Sequence, residues 1–118
     1  MATDIQNMVR MLRHCERVVQ YSEGITFEDF SKDTEKQDAL LFNVGQVGEI
    51  VSKISPEFKA EHPEFAWSPM KQLRNHVVHN YDGLSYDIIW DVIQYDIPGL
   101  IPLIHALLDN KMVVPGVQ

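Results

Sequence analysis

Eight consecutive residues, Arg74-Asn75-His76-Val77-Val78-His79-Asn80-Tyr81, gather an arginine, two histidines, two amides and a phenol, interrupted only by two valines. A histidine titrates near neutral pH, so it can take a proton from a ribose 2′-hydroxyl or return one to a leaving oxygen. A guanidinium forks onto phosphate oxygens and suits the charge of a phosphorane. Arg74 and His79 are therefore the minimal pair for RNA cleavage without a metal, with Asn75 able to orient the imidazole.

Other chemistries use the same residues. A histidine and an arginine near a helix C-terminus can simply solvate a surface and suit the helix dipole, though this accounts for one or two such residues better than for six. His76, His79 and Asp82 recur every third residue, and imidazole with carboxylate can hold zinc. No fourth ligand is evident, and Arg74 beside them repels a cation. Cys15 sits on a helix that reads as core-packed, with no glycine-rich turn to make it a nucleophile. No glycine loop that would cradle a nucleoside triphosphate occurs in the chain.

The elements that must position this cluster follow from the residues around it. Ser68-Pro69 reads as a helix start, with a serine cap and proline at the first helical position, and Asp82-Gly83 reads as the stop. Met70, Leu73 and Val77 form the buried stripe. At about 100° per residue, Asn75 and His79 share a face, as do Arg74 and Tyr81, whereas Arg74 and His79 diverge by roughly 140°. For both to act on one bond, the helix must end near His79 or a second copy must contribute, which favours a dimer.

Upstream, Thr3-Asp4-Ile5-Gln6 has the form of a capping box opening a helix that runs to about Gly24, with Ile5, Met8, Val9, Leu12 and Val19 as its apolar stripe. Arg10, Arg13, His14 and Arg17 line another face, either as a solvated surface or as one that meets phosphates. Thr26 to Ser31 reads as a capped turn or short helix whose two phenylalanines plug the bundle end. A long helix follows from Asp33 or Thr34 to Ile54, with the seam Leu40, Val44, Val47, Val51, Ile54. Gly45 and Gly48 inside it suit close backbone packing, and Glu49 faces the same crevice. Ser55 to Trp67 reads as a loop with one helical turn. Ser85 caps a further helix with Ile88, Ile89, Val92 and Ile93 on its apolar face and Trp90 as anchor. Asp96-Ile97-Pro98-Gly99 breaks it, Leu100 to Leu108 forms the last helix with Pro102 in its first turn, and Lys111 to Gln118 is a tail. The expected fold is an all-α, up-and-down bundle of four main helices plus a short extra one, in a single domain over residues 1–118.

The 118 residues carry a formal charge of −7 and are 45% hydrophobic and 23% charged, which is ordinary for a soluble globular chain. No apolar run reaches membrane-spanning length, and the N-terminus lacks a signal-peptide core. A lone cysteine fits a reducing cytoplasm. The acidity argues against a generic nucleic-acid binder but leaves room for a local basic site.

With these residues in view, Arg74-Asn75-x-x-x-His79-x-Tyr81 resembles the Arg-x4-His-x-Tyr signature of the HepT-like toxins, a branch of the HEPN ribonuclease superfamily. Gly48-Glu49-Ile50 resembles the Gly-Glu-Ala-type stretch of that family's second helix, and His62-Pro63 followed by Trp67 its His-Pro…Trp connection. Tyr86 to Trp90 and Asp96-Ile97-Pro98 resemble its last two helices. The resemblance covers roughly residues 33 to 108.

It implies an α-helical homodimer with motif helices facing across a cleft, acting as a metal-independent endoribonuclease toxin. The partner it implies is a minimal nucleotidyltransferase antitoxin of the MntA type, which transfers AMP from ATP to the motif tyrosine. Carried over by position, Arg74 and His79 are catalytic with Asn75 in support, and Tyr81 is the AMP acceptor. The chain itself needs no cofactor, since ATP is used by the antitoxin. RNA affinity then rests on Arg10, Arg13, Arg17, Lys71 and Arg74 and is salt-sensitive. The run from Asp82 to Asp96, with four aspartates and no Lys or Arg, suits a basic antitoxin instead. A non-catalytic helical module that binds the nucleotidyltransferase or a nucleotide is the alternative from a different class.

Overall fold

The computed structural model describes residues 2–79 and 86–112, with residues 78, 79, 111 and 112 described by backbone alone. Its elements are α1 (Asp4–Ser22), α2 (Phe27–Lys32), α3 (Thr34–Val51), α4 (Pro56–Glu61), α5 (Trp67–His79), α6 (Tyr86–Asp91), a π-helical turn (Val92–Asp96) and α7 (Ile97–Met112). The all-α expectation holds among these residues. The long helical runs are α1, α3, α5 and the stretch from α6 to α7, with α2 and α4 as short additions where one was expected.

Side-chain caps set most of the starts. Thr3 and Gln6 form the reciprocal capping box read from the sequence, and Thr26 with Asp29 forms a second one ahead of α2. Asp33 caps α3 through the backbone N–H of Lys36. Each satisfies amide donors that a helix start leaves open. Asp4 also reaches across the bundle. Its two carboxylate oxygens accept from the backbone N–H and the hydroxyl of Ser55 at 2.9 and 2.7 Å. The Ser55 hydroxyl oxygen in turn accepts from the Phe58 N–H, so one carboxylate ties the beginning of α1 to the cap of α4.

The α3 seam is buried as its spacing predicts, including Ile54 just past the helix. On α1 the apolar stripe is displaced. The buried row is Met8, Met11, Cys15, Val18 and Ser22, while Val19 is 38% exposed. The expected row took Val9, Leu12 and Val19, whereas the core lies one residue round the helix, along Met11, Cys15 and Val18, with the small Ser22 continuing it. Ser22 satisfies its hydroxyl on the Val18 carbonyl at 2.7 Å. Of the two phenylalanines expected to plug the bundle end, Phe30 is fully buried and Phe27 largely exposed. Ile88, expected on the apolar face of α6, is likewise exposed, while Ile89, Val92 and Ile93 are buried. Trp90 anchors as expected, its ring 5.3 Å from that of Phe30.

Several boundaries differ from the sequence reading, among them the end of α3, which falls at Val51 and not at Ile54. α5 begins at Trp67, with the Met70 N–H bonded to the Ala66 carbonyl, so Ser68 and Pro69 lie in its first turn. Trp67 joins because its indole N–H donates to the carbonyls of His62 and Lys59 at 2.9 and 3.1 Å, closing the end of α4. The expected break at Asp96-Ile97-Pro98-Gly99 does not occur. The helix widens instead, the Ile97 N–H bonding to the Val92 carbonyl in the five-residue spacing of a π turn. Pro98 has no N–H to give and crowds the preceding carbonyls, and an extra residue in the turn relieves that conflict without ending the helix. Pro102 is correspondingly deeper in α7 than the first turn, its cost offset by the burial of Ile97, Leu100, Ile104 and Leu107. The Asp82-Gly83 stop, the Ser85 cap and residues 113–118 of the tail lie outside the described residues; Lys111 and Met112 continue α7.

Cys15 is fully buried, and that burial, with the Glu16 carboxylate adding to it, pushes the thiol from 9.0 up to about 12. The folded thiol is therefore protonated and unreactive at neutral pH. An alkylating reagent at pH 8 is expected to leave the native chain unlabelled and to modify Cys15 only in denaturant, as read by intact mass. Because the folded value lies above the unfolded one, this contribution is complete below pH 9. It is lost as pH rises toward 12, at about 1.4 kcal/mol per pH unit. No described helix is long and apolar enough to cross a membrane.

Candidate active site at the crossing of α3 and α5

The motif helix α5 lies against α3, and glycine is what lets it come so close. A Cβ built on Gly48 would sit 2.7 Å from the backbone nitrogen of Arg74 and 3.2 Å from the Lys71 carbonyl oxygen. Gly45, nearly one turn earlier, faces Val77 at an ordinary 3.7 Å. Met70 and Leu73 are buried beneath α5 and Val77 is half-buried, as their spacing requires.

Glu49 follows Gly48 and so emerges at this crossing, where its Oε1 pairs with Nε of Arg74. The two side chains are 37% and 53% exposed, so the pair adds at most about 1 kcal/mol to stability. Its consequence is geometric: the guanidinium is held on the α3 side of its own helix. The sequence placed Glu49 in the crevice but gave it no partner.

The other motif residues fall elsewhere. Asn75 is exposed, and its amide donates to Oε1 of Gln72 at 3.0 Å, one turn back. The backbone of His79 belongs to α5, on the register row of Asn75 and roughly 140° around the helix from Arg74. Its side chain and the whole of Tyr81 lie outside the described residues. So does part of the metal reading on His76, His79 and Asp82; among the described residues no three His, Cys, Asp or Glu group closely enough to hold a metal ion.

Of the expected phosphate contacts, Lys71 is exposed on α5 near Arg74. Arg13 and Arg17 are exposed on α1, and Arg10 donates to Oδ1 of Asn7 at 3.2 Å. The α1 residues meet α3 along a different row from α5, through His14 and Asn43. Sequence reading missed Phe42, which lies outside the α3 seam and is 59% exposed beside Arg74. An aromatic off the buried register was the available signal. The His62-Pro63…Trp67 stretch proves to be a clamp, with the His62 ring packed at a tilt against Phe58, centroids 4.5 Å apart, and its carbonyl held by Trp67.

The family model "Ribonuclease HepT-like" matches residues 11–107. A candidate RNase of Caldanaerobacter subterraneus subsp. tengcongensis is 31% identical over 94% of this chain and 99% of its own length. A candidate RNase of Methanocaldococcus jannaschii is 29% identical, covering 85% of this chain and 83% of that relative. A candidate ribonuclease HepT of Thermococcus cleftensis is 33% identical over 72% of this chain and 77% of its own length. No solved structure matches the chain. By the extent of the family match and by these relatives, the chain belongs to the HepT-like ribonuclease family.

Proposed function

We propose that the chain is a metal-independent endoribonuclease toxin that acts as a homodimer in the cytoplasm. The observation that carries this reading is the ion pair with Glu49, which holds the Arg74 guanidinium toward α3 while His79 lies roughly 140° around the same helix. One copy then offers a phosphate ligand and a proton-transfer group on separate faces. Two copies meeting along α5 set the Arg74 of one beside the His79 of the other.

In the reaction proposed, His79 takes the 2′-hydroxyl proton and the 2′ oxygen attacks the adjacent phosphorus. Arg74 neutralises the charge that accumulates on the non-bridging oxygens. The bond to the 5′ oxygen breaks, and this oxygen takes the proton it requires from water. The products are a 2′,3′-cyclic phosphate and a 5′-hydroxyl, and no step needs a metal. Purified chain incubated with single-stranded RNA is expected to give these ends equally in magnesium and in EDTA. Loss of cleavage in EDTA overturns the metal-free mechanism, and absence of cleavage in both overturns the nuclease.

Regulation by AMP transfer to Tyr81 belongs to the same proposal. A bulky anion two residues beyond His79 competes with the scissile phosphate for Arg74. Asp87, Asp91 and Asp96 are exposed along α6 and the π turn, an acidic face that suits a basic nucleotidyltransferase and repels RNA. Intact mass after incubation with the nucleotidyltransferase and ATP is expected to rise by one or more AMP units. The Tyr81→Phe chain should stay unmodified, and its full modification would mean a different acceptor.

Glu49 provides a finer test. Glu49→Gln keeps the shape of the side chain and removes the charge that holds Arg74. The thermal midpoint should move by only a few degrees. The kcat for RNA cleavage should fall about tenfold with KM unchanged or lower, a loss of about 1.4 kcal/mol of transition-state stabilisation. An unchanged kcat removes Glu49 from the positioning of Arg74.

A further inference from the structure

The outward row of α3 carries Phe42, Gln46 and Glu49 at helical spacing. Phe42 is 59% exposed and lines one shallow depression with Gly45, Gln46, Glu49, Arg74 and Val77. On its other flank, the ring of His14 from α1 meets it edge-on, with centroids 6.2 Å apart and planes at 75°.

That histidine is itself fixed. Asn43 is 3% exposed, and its Nδ2 donates to the Ala39 carbonyl at 2.8 Å, so its Oδ1 is the acceptor that faces α1. Nδ1 of His14, 2.8 Å away, therefore carries the proton and donates. Nε2 remains for an outside partner. A buried amide thus sets the tautomer of His14, and His14 in turn braces the edge of Phe42, leaving the aromatic ring held but uncovered.

The charges around this ring are unusual for the chain as a whole. On a protein of net charge −7, Phe42 has Arg74 on its α5 side and, on its α1 side, the helix that carries Arg10, Arg13 and Arg17. Glu49, the acid in the depression, is already paired with Arg74. Asp38, one turn before Phe42 on the same row, is an exposed acid, and the cations around the ring are the α1 arginines and the exposed Lys71 next to Arg74 on α5. An exposed aromatic ring with cations on both flanking helices fits a polymer that alternates flat bases with phosphates. Each base has a face to stack on the ring, and its flanking phosphates fall to the cations.

We propose that Phe42, braced by His14, is a base-stacking platform for single-stranded RNA leading into the Arg74 site, with the α1 arginines holding the phosphates beyond it. The proposal rests on the ribonuclease reading and adds to it a subsite that determines how substrate enters.

The test uses the full-length chain and a short 2′-O-methyl RNA oligonucleotide, which has no 2′ nucleophile and cannot be cleaved. Phe42→Ala and Phe42→Leu are each expected to weaken its binding about tenfold, with the mass of the oligomer unchanged. Phe42→Trp is expected to keep the affinity and to show indole emission quenched on RNA addition. Wild-type affinity in Phe42→Leu shows that bulk apolar contact suffices and overturns the stacking platform. A changed oligomer mass in Phe42→Ala makes the residue a protein interface and also overturns it. If wild-type chain binds the oligonucleotide and Phe42→Ala binds it equally well, this inference alone fails. If wild-type chain does not bind it, the ribonuclease reading fails and takes the subsite with it.

Discussion

Arg74→Ala and His79→Ala are each expected to reduce RNA cleavage by at least two to three orders of magnitude while leaving the helical circular dichroism intact. A positioned acid or base is worth about 10²–10⁴ in rate, and loss of one transition-state cation costs about 10²–10³. Neither change should unfold the chain. Arg74 is 53% exposed on its side chain, and surface substitutions of this kind usually stay within about 0.5 kcal/mol. The more telling experiment mixes the two inactive chains. In a two-fold dimer whose sites are shared, an Arg74→Ala copy paired with a His79→Ala copy rebuilds one complete arginine–histidine combination. Refolding the two together should restore roughly a quarter of wild-type activity, since about half of the dimers are mixed and each has one intact combination. If the mixture stays as inactive as its components, each site lies within one chain, and the angular argument for dimerisation fails.

Much of this arrangement was legible because the residues that signal it act locally. Thr3 and Gln6 cap a helix through contacts three residues apart, and the 4-3-4-3 spacing of Leu40, Val44, Val47, Val51 and Ile54 specifies one buried row whatever packs on it. The α1 row is ambiguous in the sequence because apolar residues stand side by side at Met8-Val9, Met11-Leu12 and Val18-Val19, so two adjacent rows fit helical spacing and only the packing chooses between them. The uninterrupted run through Pro98 was hidden for a related reason. Proline predicts the loss of one hydrogen bond, but whether the helix breaks or widens depends on the burial of Ile93, Ile97 and Leu100 on either side, a tertiary term that can outweigh local cost. At the proposed site, Arg74, Asn75 and His79 stand out in the sequence by type and spacing. The pairing of Arg74 with Glu49 joins residues 25 apart, and the exposure of Phe42 depends on where α1 and α5 leave α3 uncovered. Neither is encoded in a short window of sequence.

Gly48 is where fold and site depend on one atom, and alanine there should be disproportionately harmful. In an isolated helix, glycine to alanine stabilises by about 1 kcal/mol, so helix propensity alone predicts a firmer α3. At Gly48 the new methyl would sit 2.7 Å from the Arg74 backbone nitrogen, and a backbone atom in a helix cannot rotate out of the way. α5 must move as a body, at an overpacking cost of about 1–3 kcal/mol. The net expectation for Gly48→Ala is a loss of up to about 2 kcal/mol and a thermal midpoint lower by up to roughly 10 °C. Gly45→Ala is the matched control. Its methyl meets Val77 at 3.7 Å, an ordinary contact, so propensity dominates and the midpoint should rise by a few degrees. Cleavage separates the two further. Because the clash falls on Arg74 itself, Gly48→Ala should lose activity well below its unfolding temperature, whereas Gly45→Ala should keep it. Equal midpoints for the two variants would mean that α5 can slide on α3 at little cost. The ion pair with Glu49, and not the close crossing, would then be what fixes the arginine.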